Sequence, residues 1–259
     1  IVAPAEAPWE LLRRAHSEDY LSKLRDGTLD AGEVRRLGLP WSPALVRRSR
    51  RATMGTLMAA RAALANGIAA NLAGGTHHAC HDHGEGYCVI NDVVVAIRAL
   101  AAEGTAQRAL VVDLDVHHGN GNAELLAGDA GAFTFSMHGE RNYPLRKPPS
   151  DLDVGLADGT GDEAYLEALQ SHLPVAFARS RPDIVFYLAG VDVVAGDRFG
   201  RLALTRAGLA ARDRYVLEQA RAHGVPVVLV LAGGYAPTPE ATADLHAMVH
   251  REAAALGMG

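Results

Sequence analysis

Two spacings of apolar residues divide the chain. From Ala7 to Arg25 they recur at helical intervals (Leu11, Leu12, Ala15, Tyr20, Leu21, Leu24), which predicts a helix, and Ser42 or Pro43 opens a second helical stretch running to about Ala65. Beyond this point short continuous apolar runs take turns with helical segments. The runs Ile68–Ala73, Ala109–Leu114, Ala132–Met137, Asp183–Gly190 and Pro226–Gly234 predict strands, whereas Asn91–Glu103, Asp162–Ala178, Thr205–His223 and Pro239–Leu256 predict helices. Strands that are apolar at nearly every position are those of a parallel sheet covered on both faces. Strand and helix in alternation therefore predict an α/β fold of three layers, αβα, around a central, mainly parallel sheet. No stretch rich in Pro, Gly and Ser separates two such units and no internal repeat is found, so the expectation is one domain over residues 1–259.

Composition narrows the class of function. With 49% apolar and 21% charged residues the sequence is that of a globular protein, and a net charge of −5 speaks against a dedicated nucleic-acid binder, which carries a basic excess. The one basic cluster, "VRRSRR" at Val46–Arg51, reads as a solvated helix face. No apolar run is long enough to span a bilayer, and the opening "IVAPAEAPWE" lacks the layout of a signal peptide; the expectation is a cytoplasmic protein without a membrane partner. Cys80 and Cys88, too few for a disulfide framework, read as reduced thiols. The histidines are more telling, because of twelve in all, six fall in Thr76–His83 and Asp113–His118.

The polar residues that interrupt the strand pattern lie where strands end, which in open α/β sheets is where ligands gather. Five such ends stand out: "GGTHHACHDHGEGY", "DLDVHHGNG", "SMHGERNY", "AGVDVVAGD" and "LAGGYAP". Asp113, Asp115 and His117 follow one another at i, i+2 and i+4 and share one face of an extended segment. Burying carboxylates side by side is costly unless a cation or a proton lies between them. Asp115 and His117, joined by Asp192 from another strand end, offer one imidazole and two carboxylates, a donor set suited to Zn²⁺ or Fe²⁺ with a position left open for water and substrate. Two carboxylates neutralise a dication, so its water should be less acidic than in an all-histidine site and a neighbouring base is required. His77 and His78 are the candidates, and Tyr235, after two glycines, is placed to donate to an oxyanion. Singly, each feature has a structural explanation: a histidine pair in a core, a buried ion cluster at DxDxH, Asp197 as a loop cap, His81 and His83 as solvated loop. Asp197, His81 and His83 keep that structural reading, whereas the metal ligands, the histidine proton shuttle and the oxyanion donor, found jointly at separate strand ends, point to a metal-assisted amide hydrolase.

In these residues the chain resembles the histone deacetylase superfamily, which includes acetylpolyamine amidohydrolases and acetoin-utilisation proteins. The resemblance is carried by "GGTHHA", "GEGYCVIND", "DLDVHHGNG", "AGVDVVAGDRFGRLALT" and "LAGGY", in the family's order, over about Ser17 to Tyr235. The stretches "GLPWSPALVRRSRRATMGTLMAARAAL" and "NYPLRKPPSDLDVGLADGTGDEAYL" are similar to small bacterial, class IV-like members. The resemblance implies a zinc ion, with Fe²⁺ as alternative, on Asp115, His117 and Asp192. It implies His78 as general base and acid, His77 as its electrostatic partner and Tyr235 as the donor polarising the carbonyl. A structural K⁺ is implied at Asp113, the backbone of Asp115, His117 and Met137, and the Ser136 hydroxyl. Gly86, Tyr87 and Tyr143 would line a substrate tunnel with Phe199 near its mouth, and Asn120 stands where class I members carry an aspartate behind the second histidine. The family opens with a strand and an "HP" loop that find no match at the start of this chain. The activity implied is removal of an acyl, typically acetyl, group from a lysine or polyamine-type amine by metal-activated water. Alternatives are a deacylase of a small metabolite or of long-chain fatty acyl-lysine, and an inactive acyl-lysine-binding module. Binuclear Mn²⁺ ureohydrolases need a DAHxD-like run that is absent.

Overall fold

The apolar runs lie side by side as parallel strands. In the computed structural model, which describes residues 1–258, β1 (Ile68–Asn71), β2 (Ala109–Asp113), β3 (Ala132–Gly139), β4 (Leu152–Leu156), β5 (Ile184–Leu188) and β6 (Val227–Val230) form one sheet. Its order is β1-β6-β5-β2-β3-β4, and every pairing is parallel. Helices α4 (Pro43–Asn66) and α5 (Asp92–Glu103) cover one face; α7 (Asp162–Ser180), α8 (Arg206–Ala222) and α9 (Pro239–Ala255) cover the other. The three-layer αβα architecture is thus the one the alternation predicts.

The strands have two buried faces because successive side chains point to opposite sides. On β2, Val111 joins Phe186, Val228 and Val230 in a core with Leu57 of α4 and Val94 of α5. Its neighbours Leu110 and Val112 join Phe135, Tyr187 and Leu229 in a second core with Leu169, Val216 and Val249 from α7, α8 and α9. Each such fully buried side chain contributes about 1.5–3 kcal/mol of transfer free energy.

The N-terminal region departs from the expected two helices. The stretch Ala7–Arg25 is broken into α1 (Trp9–Leu12) and α2 (Glu18–Asp26), because Ser17 leaves helical geometry, accepts the Tyr20 N–H with its side chain and donates its own N–H to the His81 carbonyl. A further helix, α3 (Ala31–Leu37), is fixed by a reciprocal capping box between Asp30 and Glu33 and closed by left-handed Gly38. Four helices, not two, precede β1. Two elements inside expected loops are β4, a half-exposed edge strand, and α6 (Asn120–Leu126). Among the described residues no helix is long and apolar enough to cross a membrane.

Since all six strands run the same way, their carboxyl ends share one edge, and the connections after β1, β2, β3, β5 and β6 meet there.

Candidate active site

The segment leaving β2 carries Asp115, fully buried, and His117, nearly so; Asp192, fully buried, comes from the connection after β5. His117 Nδ1 lies 3.0 Å from Asp115 Oδ1 and 3.2 Å from Asp192 Oδ2. Backbone N–H groups hold both carboxylates: His117 donates to Asp115 Oδ1 at 2.8 Å, Gly233 to Asp115 Oδ2 at 2.6 Å and Val116 to Asp192 Oδ1 at 2.9 Å. Asp192 Oδ2, close to His117 but poorly aligned with it, has no hydrogen-bond partner among the described residues. Three donors, one of them an orphaned buried oxygen, therefore converge on one point, and together they could hold a metal ion. Burial, then the charge of Asp115, pushes the Asp192 carboxyl up to about 6. A Cβ on Gly233 would collide with both carboxylates, so glycine is required there.

The connection after β1 brings His77 and His78 against this cluster, with ring centroids 4.1 Å apart. His77 Nδ1 lies 2.7 Å from Asp113 Oδ2, and its Nε2 3.9 Å from Asp115 Oδ1. Burial works to lower the His77 pKa, but Asp113 and Asp115 outweigh it and push it up to about 9. His78 goes the other way: burial and then the neighbouring His77 hold it well below the usual imidazole range, and its Nδ1 lies 2.7 Å from Asn120 Oδ1. Gly119 and Gly121 allow this approach, since a Cβ at Gly121 would strike the His77 and Ala79 carbonyl oxygens.

Tyr235 follows β6, its ring 6.4 Å from that of His117. Burial, then Asp115 and Asp192, raises its pKa, so the hydroxyl stays protonated. Asp197 caps its own loop as expected, accepting from the Phe199 and Gly200 N–H groups, and also accepts the Tyr235 N–H at 2.7 Å. That second bond, which fixes where Tyr235 starts, is invisible in the sequence.

His78, His117 and Tyr235 reach a cavity of about 400 Å³ whose walls include Gly86, Tyr87, Tyr143 and Phe199. Gly86 has a positive φ of 54°, and a Cβ there would press on the His78 ring, so only glycine brings the wall this close. Tyr87, Tyr143 and Phe199 remain between 40% and 47% exposed, an aromatic rim open to solvent. Arg35, Arg36, Arg141 and Arg201 add positive charge around it. A larger groove of about 850 Å³ along α4 and β1 holds arginines and alanines but none of the candidate residues, so size alone does not mark the site.

Asp113 and Ser136 are partners in the β2–β3 register and both are buried, with Met137 next on β3. Ser136 Oγ lies 3.0 Å from His138 Nδ1. His83 is not a solvated loop residue: it lies 2.6 Å from Asp82 and 3.6 Å from Glu85. His81, though exposed, is also tied down, its Nδ1 3.0 Å from the Ala15 carbonyl. Sequence reasoning missed Asp92, whose carboxylate accepts the Gly75 and Thr76 N–H groups and holds the His77 loop. It also missed Glu85, which accepts the Asn120 side-chain amide. Arg212, fully buried on α8, is a third: it donates to the Gly190 and Leu114 carbonyls beside the Asp192 and Asp115 loops.

The parallel αβα sheet that carries these residues is shared with known proteins. Residues 1–252 match the histone deacetylase domain, and the chain belongs to that family. It is 46% identical over 242 residues to an uncharacterised protein of a Picosynechococcus species, covering 93% of this chain and 81% of that one. Histone deacetylase 2 of Arabidopsis thaliana is 32% identical over 244 residues, covering 91% of this chain and 63% of its own length, so the chain spans less than two thirds of that relative. Among solved structures, a histone deacetylase homologue complexed with SAHA superposes with a TM-score of 0.82 at 26% identity, over 96% of this chain and 72% of the other.

Proposed function

We propose that this family member is a zinc-dependent deacylase that cleaves the amide of an acylated lysine-type amine, with acetyl as the first acyl group to test. The observation that carries the reading is the convergence of Asp115, His117 and the orphaned Asp192 Oδ2 beside His78 and Tyr235 at the cavity floor. The donor set fits a divalent zinc or iron ion, because Asp115 Oδ1 and the orphaned Asp192 Oδ2 both lie within 3.2 Å of His117 Nδ1, while backbone N–H groups hold the far oxygen of each carboxylate. Such an ion supplies Lewis acidity and lowers the pKa of water.

The chain's own residues do the rest. His78, neutral and with Nδ1 turned to Asn120, takes a proton from water at Nε2 and returns it to the departing amine nitrogen. Tyr235 donates its hydroxyl proton in a hydrogen bond to the carbonyl oxygen as negative charge develops there. His77, charged between Asp113 and Asp115, disfavours a premature proton on His78. Gly86, Tyr87, Tyr143 and Phe199 would close around the acyl-amine stem and exclude water. The pairing of Asp113 with Ser136 supports a K⁺ site shared with the carbonyls of Asp115, His117 and Met137. The rim arginines, of which Arg35 and Arg36 form no ion pair among the described residues, repel a polycation and favour acyl-lysine in a neutral or acidic peptide over acyl-polyamine.

The deciding experiment measures metal content of the purified protein together with hydrolysis of acetyl- and longer acyl-lysine amides and acetylated polyamine, with and without chelator. About one zinc or iron per chain, with hydrolysis that chelation abolishes and the metal restores, is the expected result; hydrolysis indifferent to thorough chelation would rule the reading out. Tyr235→Phe should keep the metal and lose about 10²–10³-fold in kcat, as removal of an oxyanion donor does. Full activity in that variant would take Tyr235 out of the mechanism.

A further inference from the structure

We propose that Glu85 is a positioning residue that decides which nitrogen of His78 carries the proton, acting through the Asn120 amide. An asparagine amide can face either way, with its oxygen and nitrogen exchanged. Glu85 removes that freedom. Its carboxylate only accepts, so the Asn120 NH₂ must turn toward it, and the Asn120 carbonyl is left for His78 Nδ1. A carbonyl also only accepts, so Nδ1 must hold the hydrogen and Nε2 the lone pair, the tautomer a base needs on the cavity side. An aspartate in place of Asn120 would impose this tautomer by itself; an asparagine needs a second carboxylate behind it.

Glu85 is placed for that task. Its backbone carbonyl accepts the Cys88 N–H at 2.8 Å, and its second oxygen faces His83 Nε2 at 3.6 Å, while His83 Nδ1 is held by Asp82 at 2.6 Å. Burial acts to raise the Glu85 pKa, but His83, Asn120 and Tyr143 together bring it below the ordinary carboxylate range, so the group is an anion near neutral pH. The inference rests on the reading of His78 as the proton acceptor of a deacylase.

The test compares the zinc-reconstituted wild type with Glu85→Gln and with the double variant Glu85→Gln/Asn120→Asp. In Glu85→Gln the new amide can donate to Asn120 Oδ1 and turn the Asn120 NH₂ onto His78. We expect kcat to fall about 10–100-fold with KM within about twofold and zinc content unchanged. In the double variant the introduced carboxylate at position 120 accepts from both the His78 ring and the amide at position 85, and kcat should return to within about threefold of wild type. Nitrogen-15 NMR of the His78 ring should show Nδ1–H in the wild type and double variant and Nε2–H in Glu85→Gln. A single variant within twofold of wild type, or a double variant no better than the single one, overturns the proposal. Should the wild type hydrolyse no acyl-lysine amide, the deacylase reading falls, and the NMR still decides the inference: Nε2–H in the wild type overturns it, Nδ1–H upholds it.

Discussion

His117→Ala protein is expected to purify without its metal and to hydrolyse acetyl-lysine amide at the background rate. The imidazole stands between two carboxylates fixed by the backbone, at 3.0 and 3.2 Å, and among the described residues no other imidazole lies within ligand distance of both carboxylates in that cluster. Without it, two buried carboxylates face each other with His77 Nε2, 3.9 Å from Asp115 Oδ1, to offset them, and the donor set falls from three to two. A Lewis-acid contribution of several kcal/mol disappears, which at 1.36 kcal/mol per decade is a loss of about 10³-fold or more. Elemental analysis and the rate should fall together. A variant retaining one metal per chain would show that the ion sits elsewhere, with His118, His138 and Asp153 as the next cluster to examine.

Arg212→Ala should be the most destabilising single change outside the cavity. Arg212 and Asp213 are both buried on α8; the guanidinium lies 2.7 Å from Asp213 Oδ1, while Tyr187 donates its hydroxyl to the same oxygen. Removing the arginine strands the Asp213 carboxylate and frees the Gly190 and Leu114 carbonyls, for a loss of about 3–5 kcal/mol. Burial already raises the Asp213 pKa, with Arg212 opposing. Once Arg212 is gone the folded-state pKa rises further above the unfolded one. The variant is then least impaired when Asp213 is protonated, and its deficit should shrink as pH falls toward the ordinary carboxylate range near about 4. Denaturant titrations at several pH values measure this. Arg212→Met with Asp213→Leu should cost less than Arg212→Ala alone, and a single variant within about 1 kcal/mol of wild type would contradict the account.

What the sequence made legible follows from how much each feature depends on distant partners. Strands β2, β5 and β6 are buried on both faces, so their identity is written in continuous apolar residues. β4 is not legible, because an edge strand that is half exposed carries Asp153 and Gly155 without penalty. α3 had a signal that the apolar spacing did not reveal: Asp30 and Glu33 three apart, with Gly38 behind them. The break at Ser17 depends on a bond to His81, far along the chain, and could not be read locally. At the site, Asp115, His117 and Asp192 stood out because buried carboxylates need a counter-charge, and the structure does bring them together. Glu85 and Arg212 gave no such sign, since an isolated glutamate in a loop and an arginine on a helix are ordinary until the fold supplies their partners.

The floor of the cavity and its rim have different architectural origins. The metal-ligating candidates hang from strand ends and are locked by main-chain N–H groups and by glycines with no room for a side chain. The rim is assembled from α3 and three separate loops, contributing Arg35 and Arg36, Tyr87, Tyr143 and Phe199 through exposed side chains. Changes at Arg35 and Arg36 leave the sheet, its two cores and the floor untouched, whereas Tyr143 packs edge-on against His78 with ring centroids 5.0 Å apart and Phe199 edge-on against Tyr235 at 4.7 Å, so selection can retune which molecule enters most freely at the two arginines. Substrate range should therefore drift faster among relatives of this chain than the reaction itself, and directed evolution of new substrate preferences should start at Arg35 and Arg36.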